Sequence, residues 1–250
     1  MNDYLLSLVD YFIQHGYVII DLRELSQQGE LLEYENAHKR YLHALKKYFR
    51  LDLQEKELSL VDAEIDKVTK CRKSGYWPKD MFDGNPNEFY NSRDFFTSTS
   101  STILDPFNGN EKNGLLPDNE AYAISHFSIE HIVTPFLKTY LTRFDISIPR
   151  YAFQIQSSYF DRKSSLGFHT DSGFFEGISG VADGLIVVDQ HDKKERNVSL
   201  KSHEAILYTG DSFQRYYSSF LPEASIPAPL VHAVEAQAER ISAPFVCIRY

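Results

Sequence analysis

A histidine and an aspartate two residues apart, His169 and Asp171, are the side chains in this sequence best suited to hold a metal ion. On a β-strand, positions i and i+2 face the same side, so both groups could point at one ion. His232, in an apolar run typical of a strand, could add a third ligand from elsewhere in a sheet. Two imidazoles and one carboxylate on one face of an octahedron leave three positions open, and this ligand set suits Fe(II).

The motif His169-Thr170-Asp171 is followed by four others in a fixed order. They are Gly184-Leu185-Ile186-Val187, Gly210-Asp211, His232-Ala233-Val234 and Arg240-Ile241-Ser242. In this series the sequence resembles the iron(II)- and 2-oxoglutarate-dependent oxygenases of the isopenicillin N synthase-like group. Five motifs in register are more specific than any one of them. The resemblance implies that His169, Asp171 and His232 are the catalytic metal ligands and that Fe(II), 2-oxoglutarate and O2 are the cofactors.

The residues expected to bind 2-oxoglutarate are Arg240, Ser242 and Tyr159. A guanidinium can hold a carboxylate through two parallel hydrogen bonds, and Ser242 lies on the same strand face as Arg240. The family's Arg-x-Ser pair and an upstream tyrosine bind the distal carboxylate, and Tyr159 is the best match to that tyrosine. Family members often have Asn two residues before it, where this sequence has Ser157. Arg249 is the alternative carboxylate anchor.

The resemblance implies an Fe(II)/2-oxoglutarate-dependent dioxygenase that hydroxylates or desaturates a small soluble molecule and releases succinate and CO2. Halogenation is not expected, because related halogenases carry a small residue at the position of Asp171. Two alternatives stay open. Some members of the group oxidise their substrate without 2-oxoglutarate, and a non-catalytic jelly-roll binding module could retain the fold.

The substrate is expected to be a small molecule, such as an amino acid or a specialised metabolite of a biosynthetic route. Binding pockets combine apolar walls with a few fixed polar groups. The candidate wall residues are Tyr76, Trp77, Arg93, Phe95, Phe174, Phe175 and Tyr216. Arg93 could orient a substrate carboxylate. A salt bridge to Asp94 would explain Arg93 equally well. Packing of the aromatic loop against the barrel would likewise explain Tyr76, Trp77 and Phe95.

The order of elements predicts an α+β fold with a mainly β core. Helical spacing predicts helices over residues 3–15, about 30–50 and 118–144, with Gly16 ending the first and Pro135 kinking or splitting the last. Residues 71–99 are interpreted as an irregular aromatic segment and 103–117 as a loop. Short strands follow from Tyr151 onwards, which suggests a jelly roll. The family's version is the double-stranded β-helix, preceded and flanked by helices.

Composition excludes several classes of protein. The 250 residues are 42% hydrophobic, which allows one large domain over 1–250, with a helix-rich part at 1–148 and the jelly-roll core at 149–250. A net charge of −9 argues against a nucleic-acid partner. Two cysteines make no disulfide framework, and neither a signal peptide nor a membrane-spanning run is evident, so a cytoplasmic location is expected. The oligomeric state is left open.

Overall fold

The structure is a computed structural model that describes residues 3–57, 61–65, 72–77, 88–92, 95–97, 103–104, 118–160, 165–235 and 239–249. The helices are α1 (Asp3–His15), α2 (Gln28–Tyr48), α3 (Leu53–Glu57), α4 (Asp118–Phe127), α5 (Thr134–Thr142) and α6 (Asp211–Tyr217). None of the helices in these ranges is long and apolar enough to cross a membrane.

The strands form two antiparallel sheets. They are β1 (Tyr17–Asp21), β2 (Val61–Ile65), β3 (Arg72–Trp77), β4 (Glu88–Asn91), β5 (Phe95–Thr97), β6 (Ile103–Leu104), β7 (Tyr151–Phe160), β8 (Ser165–His169), β9 (Phe175–Ser179), β10 (Ala182–Val188), β11 (Glu195–Leu200), β12 (Glu204–Thr209), β13 (His232–Glu235), β14 (Arg240–Ser242) and β15 (Pro244–Arg249). The large sheet has the order β1-β12-β9-β15-β7-β4-β3-β2, with β14 and β5 also on β7 and β6 on β5. The small sheet has the order β11-β10-β13-β8.

Two apolar clusters hold these layers together. One lies between the sheets and combines Ile178 and Ile206 of the large sheet with Leu185 and Val234 of the small sheet. The other packs the opposite face of the large sheet against α1, α2 and α5. One face of the large sheet packs on the small sheet and the other on helices. The predicted mixture of helices and an antiparallel β core is therefore present, and the arrangement is consistent with a jelly roll.

The predicted helices are present with adjusted ends. Helix α1 stops at His15, and Gly16 follows with a φ of +82°, a conformation that glycine adopts without strain. The third predicted helix is split: a π-helical segment at Ser128–Val133 separates α4 from α5, and Pro135 lies in the first turn of α5. Pro135 has no N–H to continue the α-helical pattern, and the amide just before it, that of Thr134, bonds to the carbonyl of Ile129 five residues back.

The main error in the predicted fold concerns the segment before α4. The aromatic stretch interpreted as irregular contributes β3, β4 and β5, and Ile103–Leu104 forms β6 within the predicted loop. Strands β4 and β5 pair directly with β7. This part of the chain therefore extends the large sheet.

Candidate metal and cosubstrate site

The two histidines lie side by side on neighbouring strands of the small sheet. His169 is the last residue of β8, His232 is the first of β13, and the two residues pair across the strands. Their ring centroids are 4.3 Å apart. Asp171 lies two residues beyond the end of β8, so the expectation that positions i and i+2 of one strand carry both ligands is wrong. The loop that follows β8 positions Asp171 instead.

The three side chains converge. His169 Nε2 lies 3.5 Å from Asp171 Oδ1, and His232 Nε2 lies 3.3 Å from Asp171 Oδ2. One ligand atom from each residue falls within 4.8 Å of the other two. A single ion can therefore contact all three, and the structure brings together the three residues predicted to bind metal.

Each imidazole is oriented by a backbone carbonyl two residues earlier. His169 Nδ1 lies 2.8 Å from the carbonyl oxygen of Gly167, and His232 Nδ1 lies 3.2 Å from that of Leu230. A carbonyl oxygen accepts only, so Nδ1 carries the proton and donates it. Nε2 then keeps its lone pair, and it is the atom that faces Asp171.

The charges of the site suit a divalent cation. Burial alone would raise the pKa of Asp171. In the metal-free site a protonated His169, which can then also donate from Nε2, together with the charge of His232 and a hydrogen bond with Glu176, holds that pKa well below its ordinary value. Burial lowers the pKa of His232. Burial also opposes the charged form of His169, but its contacts with Asp171 and the Gly167 carbonyl raise the pKa overall.

The loop carrying Asp171 is held by the Gly-Asp turn after β12. The amide of Asp211 donates to the carbonyl of Asp171 at 2.8 Å, and the hydroxyl of Ser212 donates to the carbonyl of Ser172 at 2.6 Å. Gly210 lies so close to the loop of Asp171 that a β-carbon on Gly210 would fall 2.4 Å from the carbonyl oxygen of Gly173. The family's Gly-Asp motif thus has a physical reason in this chain.

Two buried polar residues beneath this loop were missed by the sequence analysis. The hydroxyl of Tyr208 donates to Asp171 Oδ2 at 3.1 Å, and Glu176 Oε1 accepts from the amide of Gly173 at 2.7 Å. Burial, followed by the charges of Asp171 and Glu176, raises the pKa of Tyr208 well above 10, so the phenol keeps its proton. An acid within the apolar strand β9 was the available signal, since carboxylates are rarely buried without a partner.

Arg240 lies on the face of β14 that looks between the sheets. Its guanidinium carbon is 5.5 Å from the ring centroid of Phe160, which is its partner across β7 and β14. Burial lowers the pKa of Arg240, partly offset by the charge of Asp183. Its Nη1 atom is buried and has no hydrogen-bond partner in the described part of the chain. A buried guanidinium N–H without an acceptor is costly, which indicates a place for an anionic oxygen.

Arg240 and Ser242 line a common cavity of about 180 Å³, which we call the Arg240 cavity. Its walls also include Ile178, Asp183 and, from helix α2, His38. His38 is only 7% exposed. Its ring rests against Gly180, where a β-carbon would come within 3.3 Å of it.

Tyr159 is not placed with Arg240, contrary to our expectation. It pairs with Ile241, one position out of step with Arg240, and so faces the opposite side of the sheet. There its ring stacks on Phe49 at 5.4 Å, and its hydroxyl donates to Glu239 at 3.2 Å. The side chain of Arg249, the alternative anchor, lies outside the described residues, although its backbone pairs with Tyr151.

The predicted substrate wall is brought together only in part. Tyr76 and Trp77 lie on β3 opposite β4, and Phe95 lies on β5 opposite Phe153 of β7. Their side chains, and Arg93 as a whole, lie outside the described residues.

Phe174 and Phe175 are core residues in this structure, 1% and 0% exposed. Phe175 packs against Phe12 and Phe136 of the helical layer. Phe174 packs against α6, where its ring centroid lies 6.2 Å from that of the half-buried Tyr216. These contacts favour packing over substrate binding for both phenylalanines, because their rings face the helices.

Comparison with solved structures shows which fold this chain shares. No family model and no curated protein matches the sequence. Among solved structures, the chain is similar to a protein of the 2OG-Fe(II) oxygenase family from Caulobacter crescentus, with a TM-score of 0.64, 16% identity, and coverage of 99% of this chain and 82% of that one. The chain is also similar to the dioxygenase for auxin oxidation 1 from Arabidopsis thaliana in its 2-oxoglutarate complex. The TM-score is 0.66 and the identity 15%, over 100% of this chain and 90% of that one. A third similar structure is a full-length protein from Neurospora crassa, solved in complex with alpha-KG and 5-formyluracil. Its TM-score is 0.58 and its identity 13%, over 98% of this chain and 78% of that one. The fold implied by the five motifs is confirmed: the chain has the fold of the 2OG-Fe(II) oxygenases.

Proposed function

We propose that this protein is an Fe(II)- and 2-oxoglutarate-dependent dioxygenase that oxidises a small molecule and releases succinate and CO2. The observation that carries the proposal is the convergence of His169, Asp171 and His232 within 4.8 Å, in a fold shared with proteins solved as 2-oxoglutarate complexes. We propose that the two-sheet core is the double-stranded β-helix that the resemblance implies.

The donor set fits Fe(II). Two Nε2 atoms held in the lone-pair tautomer and one ionised carboxylate give three protein ligands, and three of six positions remain open. When bound, the iron supplies the activation of O2 and the binding of the 2-oxo acid. The protein supplies the fixed orientation of its ligands, through the carbonyls of Gly167 and Leu230.

Arg240 fits the far carboxylate of 2-oxoglutarate. Its Nη1 lies 3.1 Å from the position of a β-carbon built on Gly184, and Gly184 precedes by three residues Val187, which pairs with His232. Three residues of strand span about 10 Å, so a dicarboxylic acid can reach from the metal to Arg240. Ser242 pairs with Ser158 on the same face, where both hydroxyls can add hydrogen bonds.

The reaction that we propose is hydroxylation or desaturation of a small molecule. Asp171 provides a carboxylate ligand at the position that halogenation would leave for a halide, so halogenation is not part of the proposal. The Neurospora crassa structure with 5-formyluracil and that of JOX2 with JA contain small organic ligands, in line with a small substrate here.

The first test is anaerobic titration with Fe(II). We expect His169→Ala and His232→Ala to lose most of the affinity of the wild type, since each removes one of three ligands. His191→Ala is the matched control, because His191 is an exposed histidine outside this site. Unchanged affinity in both ligand variants would contradict the proposed site.

The second test separates the proposal from its alternatives. Substrate-triggered succinate formation that requires 2-oxoglutarate supports the dioxygenase. Oxygen consumption without 2-oxoglutarate would indicate an oxidase of the same fold. A wild-type protein with neither Fe(II) affinity nor oxygen consumption would indicate a binding module.

A further inference from the structure

Tyr208 makes a contact to the metal ligands that the motifs do not account for. Its hydroxyl donates to Asp171 Oδ2 at 3.1 Å, and its ring lies against that of His232 with centroids 5.2 Å apart. We propose that Tyr208 is a positioning residue that holds Asp171 to metal binding through one carboxylate oxygen. The proposal rests on the proposed function, because it concerns the same metal site.

The argument begins with the two oxygens of Asp171. Oδ1 faces His169 Nε2 at 3.5 Å, whereas Oδ2 faces both His232 Nε2 at 3.3 Å and the Tyr208 hydroxyl. A hydroxyl hydrogen on Oδ2 uses one of its lone pairs and places partial positive charge beside it. A cation held by both oxygens of the carboxylate would have to compete with that hydrogen. The hydrogen bond therefore favours binding through a single oxygen.

This choice decides how many positions remain at the metal. A carboxylate bound through two oxygens would take two of six positions and leave two after the histidines. Bound through one oxygen, it leaves three. A chelating 2-oxo acid needs two positions and O2 needs one, so the proposed reaction requires the single-oxygen arrangement.

The surroundings of Tyr208 fix its hydroxyl in place. The side chain is 2% exposed and belongs to the apolar cluster between the sheets. Its partner across β12 and β9 is Glu176, whose carboxylate accepts a hydrogen bond from the amide of Gly173. Two neighbouring residues of the large sheet thus hold both the side chain of Asp171 and the loop that carries it.

The test compares Tyr208→Phe with the wild type. The variant keeps the ring and removes only the hydroxyl. We expect Co(II) and Fe(II) to bind 10- to 100-fold more weakly, in line with the loss of other groups that hydrogen-bond to metal ligands. We also expect the visible spectrum of the Co(II) protein to change, because the number of bound oxygens changes. Tyr140→Phe is the control: it removes a buried hydroxyl that donates to the carbonyl of Ser225 at 2.8 Å, away from the metal.

Further variants separate the outcomes. If Tyr208 acts through Asp171, then Tyr208→Phe should add no loss of Co(II) affinity in an Asp171→Ala background. If Tyr208→Phe does not fold, fluorotyrosine at position 208 keeps the hydroxyl, alters its strength as a donor, and should shift the Co(II) spectrum. A wild-type affinity and spectrum in Tyr208→Phe, an unchanged fluorotyrosine spectrum, or an equal loss in the Asp171→Ala background would each overturn the proposal. A wild-type protein that binds neither metal would instead overturn the proposed function.

Discussion

At the scale of single residues, the site depends on backbone groups as much as on its ligands. His169 and His232 each donate Nδ1–H to the carbonyl two residues earlier, although one ends a strand and the other begins one. The same local contact fixes both tautomers, so neither histidine needs a carboxylate partner to present Nε2. Substitutions at Gly167 or Leu230 that preserve the backbone should leave this arrangement intact.

The residue for which we predict the largest effect on cosubstrate binding is Arg240. Arg240→Lys keeps the positive charge but replaces a planar fork with a point charge, so one of two parallel hydrogen bonds is lost. Hydrogen bonds to charged groups contribute about 1.5–3 kcal/mol, and we therefore expect the Kd of 2-oxoglutarate to rise roughly 10- to 100-fold. The measurement is anaerobic titration of the Fe(II) protein, followed by the absorption of the 2-oxo acid chelate.

Arg196→Lys is the matched control for that experiment, because Arg196 is an exposed arginine paired with Asp192. A Kd equal to that of the wild type in Arg240→Lys would show that Arg240 does not hold the far carboxylate. The anchor would then be sought at Arg249.

Residue types and order were enough to predict that His169, Asp171 and His232 converge. The assignment of Arg240 to the cosubstrate carboxylate stays a prediction, and sequence reasoning failed where strand register decides. Tyr159 was chosen by its place in a motif, but pairing of β7 with β14 puts Ser158 and Phe160, not Tyr159, beside Ser242 and Arg240. A shift of one residue reverses the face of every side chain, and the sequence does not contain the register.

At the scale of elements, the turn between β12 and α6 has a larger role than its two-residue motif suggests. The turn supplies the amide and hydroxyl donors that hold the loop of Asp171. The strands that the sequence analysis missed, β3 to β5, are short and rich in aromatic and turn residues. Their pairing with one another and with β7 stabilises them, and such pairing is non-local information that a propensity argument lacks.

We predict that Gly210→Ala disturbs the metal loop. The new methyl group would meet backbone atoms of Gly173 at 2.4 Å and of Asp171 at 2.7 Å, and backbone cannot swing away as a side chain can. We expect a loss of about 1–3 kcal/mol in the free energy of unfolding, together with weaker Fe(II) binding as the loop is displaced. Urea denaturation and anaerobic Fe(II) titration measure the two effects.

The matched control is Gly167→Ala, in the strand that carries His169. Among the described residues, no heavy atom lies within 4 Å of a β-carbon built on Gly167, so the added methyl group should be accepted there. Equal stability and equal Fe(II) affinity in the two glycine variants would show that the close approach at Gly210 has no consequence.

At the scale of the whole molecule, one sheet connects the site to the helical layer. Phe175, the first residue of β9, packs against α1 and α5. The next residue, Glu176, faces the space between the sheets and contacts the loop that carries Asp171. The α+β class and the sandwich of strands could be predicted from periodicity and element order. The depth at which α2 packs could not, because helical spacing shows which residues share a face but not how far the helix inserts. His38 is the residue for which that depth matters most.

Our last prediction concerns stability in mild acid, and it follows from the burial of His38. Loss of solvent on burial lowers the pKa of His38 from 6.5 to about 4. Below pH 6.5 the unfolded chain binds a proton at this residue that the folded protein takes up only near pH 4. The folded state is therefore destabilised as the pH falls through this window, by about 2 kcal/mol between roughly pH 7 and 5. His38→Gln should remove this part of the loss, so its free energy of unfolding should fall less steeply than that of the wild type. Urea denaturation of the metal-free protein at both pH values measures the difference.

The control for this prediction is His43→Gln, on the same helix at a position that is not buried, which should follow the wild type. Parallel wild-type and His38→Gln curves would mean that His38 is as free to ionise in the folded protein as in the unfolded chain.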